Sequence, residues 1–202
     1  MRISFKNILA IFLILLSGLT VSAQKESDFD PMAADIESNL THPTVPHKQS
    51  QAIVKAMGAV SKALKHAGYQ TSAVRSGEVI MVTIPCVELF APNSSTLLPD
   101  AGAKLRGLSP YIKESTNFKT ILAVHSDDTG DELYRDRITS ERANAIDDFF
   151  YHHNGEEDTG IIPYGLGSDE PLKANTSVSG RAANRRVEIY FVPTETFIKH
   201  SR

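Results

Sequence analysis

The clearest periodic pattern in the chain is a helical one that begins near Lys48 and ends at Gly68. Its apolar residues recur at intervals of three and four, which places them on one face of a helix. These residues are Ile53, Met57, Val60, Leu64 and Ala67. Gly68 follows them at the position where glycine commonly ends helices. The pattern predicts an amphipathic helix over 48–68, whose apolar face packs either on its own domain or on a second copy of the chain.

Strand patterns follow this helix. Residues 69–74 and 78–84 read as two strands, joined through Arg75, Ser76 and Gly77 in a hairpin turn that uses the glycine. Pro85 should end the second strand, because proline cannot donate to a sheet ladder. Further strands are predicted at 119–125, at 161–164 and at 187–192, where the last stops before Pro193.

Two more helices are predicted between these strands. Pro99 and Asp100 open the first, which has an apolar face of Ala101, Leu105, Leu108 and Ile112. Pro110 should kink that helix or end it early. Thr139 is the predicted N-cap of the second, which runs to about His153 and buries Ala145, Ile146, Phe149 and Phe150. The order of elements predicts an α+β fold, a two-layer sandwich with helices packed on one face of a mixed β-sheet.

The N-terminus predicts export. Arg2 and Lys6 precede an apolar run at 8–16, and Val21 and Ala23 supply the small residues of a cleavage site. This is the pattern of a signal peptide over 1–23, with a retained membrane anchor as the alternative. No cysteine follows the apolar run closely, so we expect no lipid anchor. About 179 residues remain after cleavage, enough for one domain with a sizeable core.

The segments that flank the domain show no period. We expect a flexible segment over 24–47, a folded domain over 69–193 and a C-terminal tail over 194–202. The mature chain carries a net charge of about −5, which argues against a nucleic-acid partner. Cys86 is the only cysteine, and a buried, unreactive thiol is its most ordinary interpretation. An intermolecular disulfide or a catalytic thiol is the alternative.

An acidic turn after the strand at 119–125 carries the candidate chemistry. Asp127 lies in this turn, and Arg142 lies near the predicted start of the following helix. A carboxylate and a guanidinium at the two ends of one strand-to-helix connection can hold a zwitterion, the first taking an ammonium and the second a carboxylate. An internal salt bridge between Asp127 and Arg142 is the plainer interpretation, and a zwitterion could insert into it.

Other chemistry is less well supported by the sequence. His125, Asp127 and Asp128 could bind a metal, but their spacing is loose, so we expect neither a metal nor another cofactor. Motifs of nucleophilic catalysis are absent, so we expect no enzymatic activity. A final run at 180–188 holds three arginines just before a strand. These arginines either line an anion site or are solvated.

Taken together, these motifs resemble the OmpA-like peptidoglycan-binding domain found in OmpA, Pal and MotB. The family turn His-Thr-Asp-x-x-Gly corresponds to His-Ser-Asp-Asp-Thr-Gly at 125–130, and Tyr134 matches the aromatic residue four positions later. The family helix start Leu-Ser-x-x-Arg-Ala corresponds to Ile-Thr-Ser-Glu-Arg-Ala at 138–143. The motif Gly-Arg-Ala-x-Asn-Arg-Arg-Val-Glu is matched at 180–188. The resemblance covers about 70–193.

The resemblance implies a ligand site. It assigns Asp127 and Arg142 to the diaminopimelate of the peptidoglycan stem peptide, and by position Asn93 and Arg185 complete the pocket. Two residues of the helix-start motif, Ile138 and Thr139, join the implied ligand-binding set. Arg135 stands where the family usually has asparagine, and it would add a positive charge at the rim of the pocket.

The expected function is therefore non-covalent binding of peptidoglycan, which tethers or organises the cell envelope from the periplasm. The alternative is a structural subunit of an envelope assembly that mainly makes protein contacts through the 48–67 helix. Expected partners are peptidoglycan of the diaminopimelate type and an outer-membrane or envelope protein, and a homodimer is left open.

Overall fold

A computed structural model describes residues 29–113, 115–155 and 159–201. The predicted signal peptide at 1–23 lies outside the described residues. The helices are α1 (Ile36–Thr41), α2 (His47–His66), α3 (Ala101–Arg106), α4 (Ser109–Lys113), α5 (Glu132–His153), α6 (Val178–Asn184) and α7 (Glu195–His200). The strands are β1 (Gln70–Val74), β2 (Val79–Pro85), β3 (Phe118–His125), β4 (Ile161–Gly165) and β5 (Arg186–Pro193).

The five strands form one mixed sheet, in the order β1-β2-β5-β3-β4. β3 and β4 are parallel, and the other neighbours are antiparallel. The predicted hairpin joins β1 to β2, with positive φ angles at Arg75, Ser76 and Gly77. Pro85 is the last residue of β2, as its missing N–H predicts. The α+β mixed-sheet prediction is confirmed.

The main core lies between one face of the sheet and a layer of helices. α2 contributes its predicted apolar face, with Ile53, Met57 and Leu64 at 0–1% exposure. Helix α2 therefore packs on its own domain. The predicted helix after Pro99 is divided in two, because α3 ends at Arg106 and α4 begins at Ser109, directly before Pro110.

The segment expected to be flexible at 24–47 is packed instead over its described part, 29–46. Ile36 and Leu40 of α1 cover apolar side chains on the second face of the sheet. The Lys119 ammonium donates to Asn39 Oδ1 at 3.0 Å and to the His42 carbonyl at 2.6 Å. Arg75 donates to the carbonyls of three residues of the segment, Leu40, Thr41 and Pro43. The segment is held by these long-range polar contacts, and its sequence lacks the periodic apolar pattern that a packed segment usually shows.

The predicted C-terminal tail also has structure. Thr194 caps α7, and its hydroxyl accepts from the Phe197 N–H at 3.2 Å. Ile198 is buried in the main core, and its carbonyl accepts from Gln49 of α2 at 2.7 Å. The C-terminal helix α7 is thus joined to α2.

The prediction that Thr139 caps α5 is wrong. The helix begins at Glu132, and the Asp131 carboxylate caps it by accepting from the Tyr134 N–H at 2.7 Å. Thr139 lies two turns further on. Arg142 is therefore near the middle of α5, where the positive end of the helix dipole no longer acts on it.

The ends of three strands meet at one edge of the sheet. His125 of β3 and Pro85 of β2 both pair with Arg186, the first residue of β5. The residues just beyond this row, Cys86, Asp127 and Arg185, are brought together by the register. In the described ranges, no helix is both long and apolar enough to cross a membrane.

Truncation of the α2 face tests its packing. Met57→Ala should lower the free energy of unfolding by about 2–5 kcal/mol, because it leaves a cavity under α2. Gln51→Ala, at an exposed position of the same helix, should change stability by less than about 0.5 kcal/mol. Urea denaturation at neutral pH measures both. Equal stabilities would mean that α2 does not support the core.

Candidate functional site

A cleft of about 280 Å³ opens at this edge of the sheet, between the end of β3, the start of β5, the middle of α5 and the loop that follows β2. Its wall combines a few charged groups with apolar and small side chains. The lining residues are Cys86, Val87, Phe90, Ala91, Pro92, Asn93, Ser126, Asp127, Thr129, Tyr134, Ile138, Arg142 and Arg185. Five of the seven predicted site residues are therefore in one place: Asn93, Asp127, Ile138, Arg142 and Arg185.

Asp127 supplies the negative charge of the cleft. The residue is 2% exposed, and its Oδ1 accepts from the Thr129 N–H at 2.9 Å, which closes a tight turn. Its Oδ2 accepts from the Arg185 guanidinium. Burial raises the pKa of Asp127, but the Thr129 hydrogen bond and Arg185 outweigh that effect and leave the pKa below its usual value. The carboxylate is ionised at neutral pH.

Arg142 supplies a fixed cation. Its Nε donates to the Ser94 carbonyl at 2.8 Å, and its guanidinium carbon lies 5.0 Å from the centre of the Phe90 ring. These two contacts aim the side chain from the middle of α5 into the cleft. Asp127 pairs with Arg185 and not with Arg142, so the alternative of an internal salt bridge between Asp127 and Arg142 is wrong. Within the described part of the chain, Arg142 has no carboxylate partner.

Asn93 and Tyr134 form a lip of the cleft. Asn93 has a φ of 55°, and its Oδ1 accepts from the Tyr134 hydroxyl at 3.2 Å. The Tyr134 ring packs against Gly130, whose φ is 86°. A side chain at Gly130 would lie 2.9 Å from the ring, so glycine is required for both space and conformation. The acidic turn, α5 and the loop at 89–96 are joined through this tyrosine.

Arg185 and Cys86 form the floor between β2 and β5. The Cys86 N–H donates to the Arg185 carbonyl at 3.0 Å, which extends the sheet pairing into the cleft. The Arg185 side chain is 42% exposed, so it can reorient. Burial raises the pKa of the Cys86 thiol to about 11, although neighbouring arginines oppose the shift. Cys86 is therefore a neutral, buried thiol.

A buried polar cluster lies behind the cleft, on the second face of the sheet. The Glu188 carboxylate accepts from Arg186 Nε at 2.6 Å, from the Tyr190 hydroxyl at 2.6 Å and from His125 Nε2 at 3.1 Å. Burial lowers the pKa of His125, so its imidazole is neutral at pH 7. Arg186 also donates to the Glu170 carbonyl at 3.1 Å. The cluster fixes the first residues of β5 and hence the position of Arg185.

Two predicted site residues, Thr139 and Arg135, do not line the cleft. The Thr139 side chain is fully buried, where it donates to the Arg135 carbonyl at 2.8 Å and accepts from the Gly167 N–H at 3.1 Å. Arg135 donates to the Gly130 carbonyl and so braces the acidic turn from outside. Both residues shape the site without facing its interior.

The geometry of the described part of the chain does not support the alternative that His125, Asp127 and Asp128 bind a metal. Residues 29–113, 115–155 and 159–201 contain no cluster of three or more His, Cys, Asp or Glu side chains that could hold an ion. His125 instead bonds Glu188, and Asp127 bonds Thr129 and Arg185.

Sequence reasoning missed two residues that position the site. Phe90 lies under the Arg142 guanidinium, and Asp131 starts α5. The signal for Asp131 was present, because an aspartate followed by Glu132 is a typical helix start. No local pattern linked Phe90 to Arg142, since 52 residues separate the two along the chain.

Comparison with known proteins finds similar sequences and a similar solved structure. Residues 89–185 match the model of the OmpA family. The chain is 30% identical over 129 residues to the probable lipoprotein YiaD of Escherichia coli K12, a match that covers 64% of this chain and 58% of YiaD. It is 29% identical over 100 residues to the peptidoglycan-binding protein ArfA of Mycobacterium tuberculosis H37Rv, which covers 50% of this chain and 30% of ArfA. The matches thus span less than two thirds of either relative.

A solved structure shares the fold. The putative MotB-like protein of Desulfovibrio vulgaris superimposes with a TM-score of 0.62 at 24% identity, over 72% of this chain and 96% of that chain. At this identity the likeness concerns the architecture of the domain.

Glu188 should make the fold sensitive to acid. Burial alone would raise the pKa of Glu188, but His125, Arg186 and Tyr190 lower it from 4.5 to about 2. A depressed folded-state pKa contributes stability that is present above pH 4.5 and lost as the pH falls towards 2. Glu188→Gln should therefore cost about 3 kcal/mol at pH 7 and remove much of the acid sensitivity below pH 4.5.

Urea midpoints between pH 7 and pH 2 measure this effect. Glu195→Gln, at an exposed ion pair with Lys199, is the control and should follow the parent protein. If the Glu188→Gln curve runs parallel to the parent curve down to pH 2, the carboxylate is not held ionised by its neighbours.

Proposed function

We propose that this protein binds peptidoglycan non-covalently through the cleft and thereby tethers or organises the cell envelope, a function supported by the match of residues 89–185 to the OmpA family model. We propose further that the group it recognises is the diaminopimelate of the stem peptide. The domain is a binding module and not an enzyme.

The observation that carries the proposal is the Arg142 guanidinium, which is held in the cleft by Ser94 and Phe90 without a carboxylate partner among the described residues. Only 6% of the residue is exposed. A cation this buried is costly unless an anion compensates it. A planar guanidinium also matches a carboxylate with two parallel hydrogen bonds. A ligand carboxylate supplies the missing partner.

The rest of the cleft suits the other end of a zwitterion. Diaminopimelate carries an ammonium and a carboxylate on one carbon. An ionised carboxylate offers about four acceptor positions, of which Asp127 uses one for Thr129 and one for Arg185. The ligand ammonium takes a remaining position on Asp127, while its carboxylate meets Arg142.

The charge balance of the cleft favours an anionic ligand. Arg142 and Arg185 face one carboxylate, that of Asp127. The partly exposed Arg185 guanidinium can donate hydrogen bonds to both Asp127 and the ligand. Asn93 and Tyr134 close one side, and Ile138 supplies an apolar surface for the aliphatic chain of the ligand.

The cellular location that we propose is supported by the similar proteins and by the signal-peptide pattern at the N-terminus. We propose that the chain is exported across the inner membrane by the signal peptide at 1–23 and works in the periplasm, in association with the outer membrane through a partner. The relative ArfA is named for peptidoglycan binding, and YiaD is named a probable lipoprotein. Both names are consistent with an envelope role for this chain.

Loss of either charged partner should abolish most binding. Asp127→Ala and Arg142→Ala should each weaken binding to purified, insoluble peptidoglycan by tens-fold or more, because truncating one partner of a desolvated charged contact costs about 2–5 kcal/mol. Arg137→Ala removes an arginine from the same helix at a position 63% exposed and outside the cleft, and it should bind like the parent. Co-sedimentation with sacculi, with circular dichroism to check the fold, measures all three.

The proposal fails if the parent protein stays in the supernatant at low and at physiological salt. It also fails if a folded Asp127→Ala or Arg142→Ala variant binds like the parent. Release of soluble fragments from the sacculi would instead revive an enzymatic function.

Arg135 distinguishes direct from indirect action on the ligand. If Arg135 steers anionic stem peptides as a rim charge, Arg135→Asn should weaken the salt dependence of the on-rate, since the Debye length falls from about 30 Å at 0.01 M salt to about 8 Å at 0.15 M. Its bond to the Gly130 carbonyl favours the other outcome: a several-fold faster dissociation with the salt dependence unchanged. Stopped-flow binding of a fluorescent stem peptide separates the two.

A further inference from the structure

The charges of this chain are segregated, and the positive ones collect on one helix. From Asn39 to Gly77 the sequence contains no aspartate or glutamate, although the whole chain has 24 acidic residues and a net charge of −3. The same stretch holds four lysines, all on α2, together with Arg75. Arg75 is neutralised by Glu78 at 3.1 Å. The lysines Lys48, Lys55, Lys62 and Lys65 are exposed and have no ion pair among the described residues.

Three of these lysines form a straight stripe. Lys48, Lys55 and Lys62 are spaced seven residues apart, which is close to two helical turns, so they align along the solvent side of α2 about 10 Å apart. The opposite side of the helix is buried through Ile53, Met57 and Leu64. α2 therefore presents a rigid row of cations whose orientation is fixed by the core.

The stripe borders a shallow, mostly apolar cleft. Lys62 and Lys65 stand at the rim of a depression of about 400 Å³ between α2 and the β1–β2 hairpin. Val54, Ala73 and Ile80 line it. Ammonium groups beside an apolar floor match an amphiphile in which a phosphate adjoins hydrocarbon.

The surface is poorly suited to a protein partner or a nucleic acid. Protein interfaces depend on projecting apolar or aromatic anchors, and the large apolar side chains that are exposed in the described ranges lie elsewhere: Met32, Val87, Leu133, Tyr151, Leu172 and Val178. Single-stranded nucleic acid needs aromatic stacking platforms, and α2 contains no aromatic side chain other than histidine. Lysines are compact point charges, which suit a diffuse layer of phosphates.

We propose that the α2 lysines Lys48, Lys55, Lys62 and Lys65 bind the surface of an anionic phospholipid membrane. Lipid phosphates lie at Lys62 and Lys65, and the start of the lipid chains lies over the apolar cleft. This contact is separate from the wall-binding cleft, which is lined by residues of α5, the start of β5 and the loops at 86–93 and 126–129. Such a contact allows one domain to hold a membrane surface and the wall together.

Vesicle co-sedimentation of the mature protein tests the proposal. The parent should pellet with phosphatidylcholine vesicles that contain about 30% phosphatidylglycerol, and it should not pellet with pure phosphatidylcholine or in about 1 M salt. A lysine near an anionic leaflet contributes about fivefold in affinity. The triple variant Lys48→Gln, Lys55→Gln, Lys62→Gln should therefore bind on the order of 100-fold more weakly.

Two matched measurements make the result specific. The triple variant Lys113→Gln, Lys173→Gln, Lys199→Gln removes the same charge from exposed positions outside α2 and should bind vesicles within a few-fold of the parent. The α2 variant should keep its thermal stability and should bind sacculi like the parent, so failure of this proposal is distinguishable from failure of the wall-binding proposal.

Three outcomes would overturn the inference: a parent protein that ignores anionic vesicles, an α2 variant that binds them as well as the parent, or equal losses in both triple variants. If the α2 variant loses sacculus binding and the parent shows no vesicle binding, the stripe is instead a second contact to the wall.

Discussion

The Glu188 carboxylate holds together the edge of the sheet at which the cleft opens. It accepts from a cation, a neutral imidazole and a hydroxyl on two neighbouring strands, β3 and β5, in a region that excludes water. A carboxylate buried in this way is stable only while its donors remain in place. The arrangement fixes the register of β3 against β5, and that register decides which residues emerge together beyond the sheet. Asp127 follows from one strand and Arg185 precedes the other.

The site is built outward from that row by elements that are distant in sequence. Tyr134 joins the acidic turn to the loop at 89–96, and Phe90 supports Arg142 from below. Asp127 and Arg142 therefore each have a support of their own, a turn for Asp127 and a loop for Arg142. This preorganisation reduces the conformational entropy that a ligand must remove on binding.

The pattern of apolar and polar residues predicted the fold well, because α2 and the strands each bury one face and their apolar residues therefore recur at a regular interval. The pattern failed where the structure depends on polar contacts between residues that are distant in sequence. Residues 29–46 lack an apolar period but are held by Lys119 and Arg75. Thr139 resembled a cap only because the first two turns of α5 carry no apolar stripe. The partner of Asp127 could not be chosen from sequence, because Arg142 and Arg185 are both plausible and only the strand register decides between them.

The contact of Lys119 with Asn39 and His42 has a mechanical consequence. Lys119 is the second residue of β3, and the cleft lies at the other end of that strand, about 20 Å away. A tension applied between the N-terminal segment and a ligand in the cleft would run along the strands. The antiparallel hydrogen bonds lie perpendicular to that direction, so they would be loaded in shear and would share the force. Strands oriented across the load would separate one bond at a time, whereas this orientation suits a domain that bears strain.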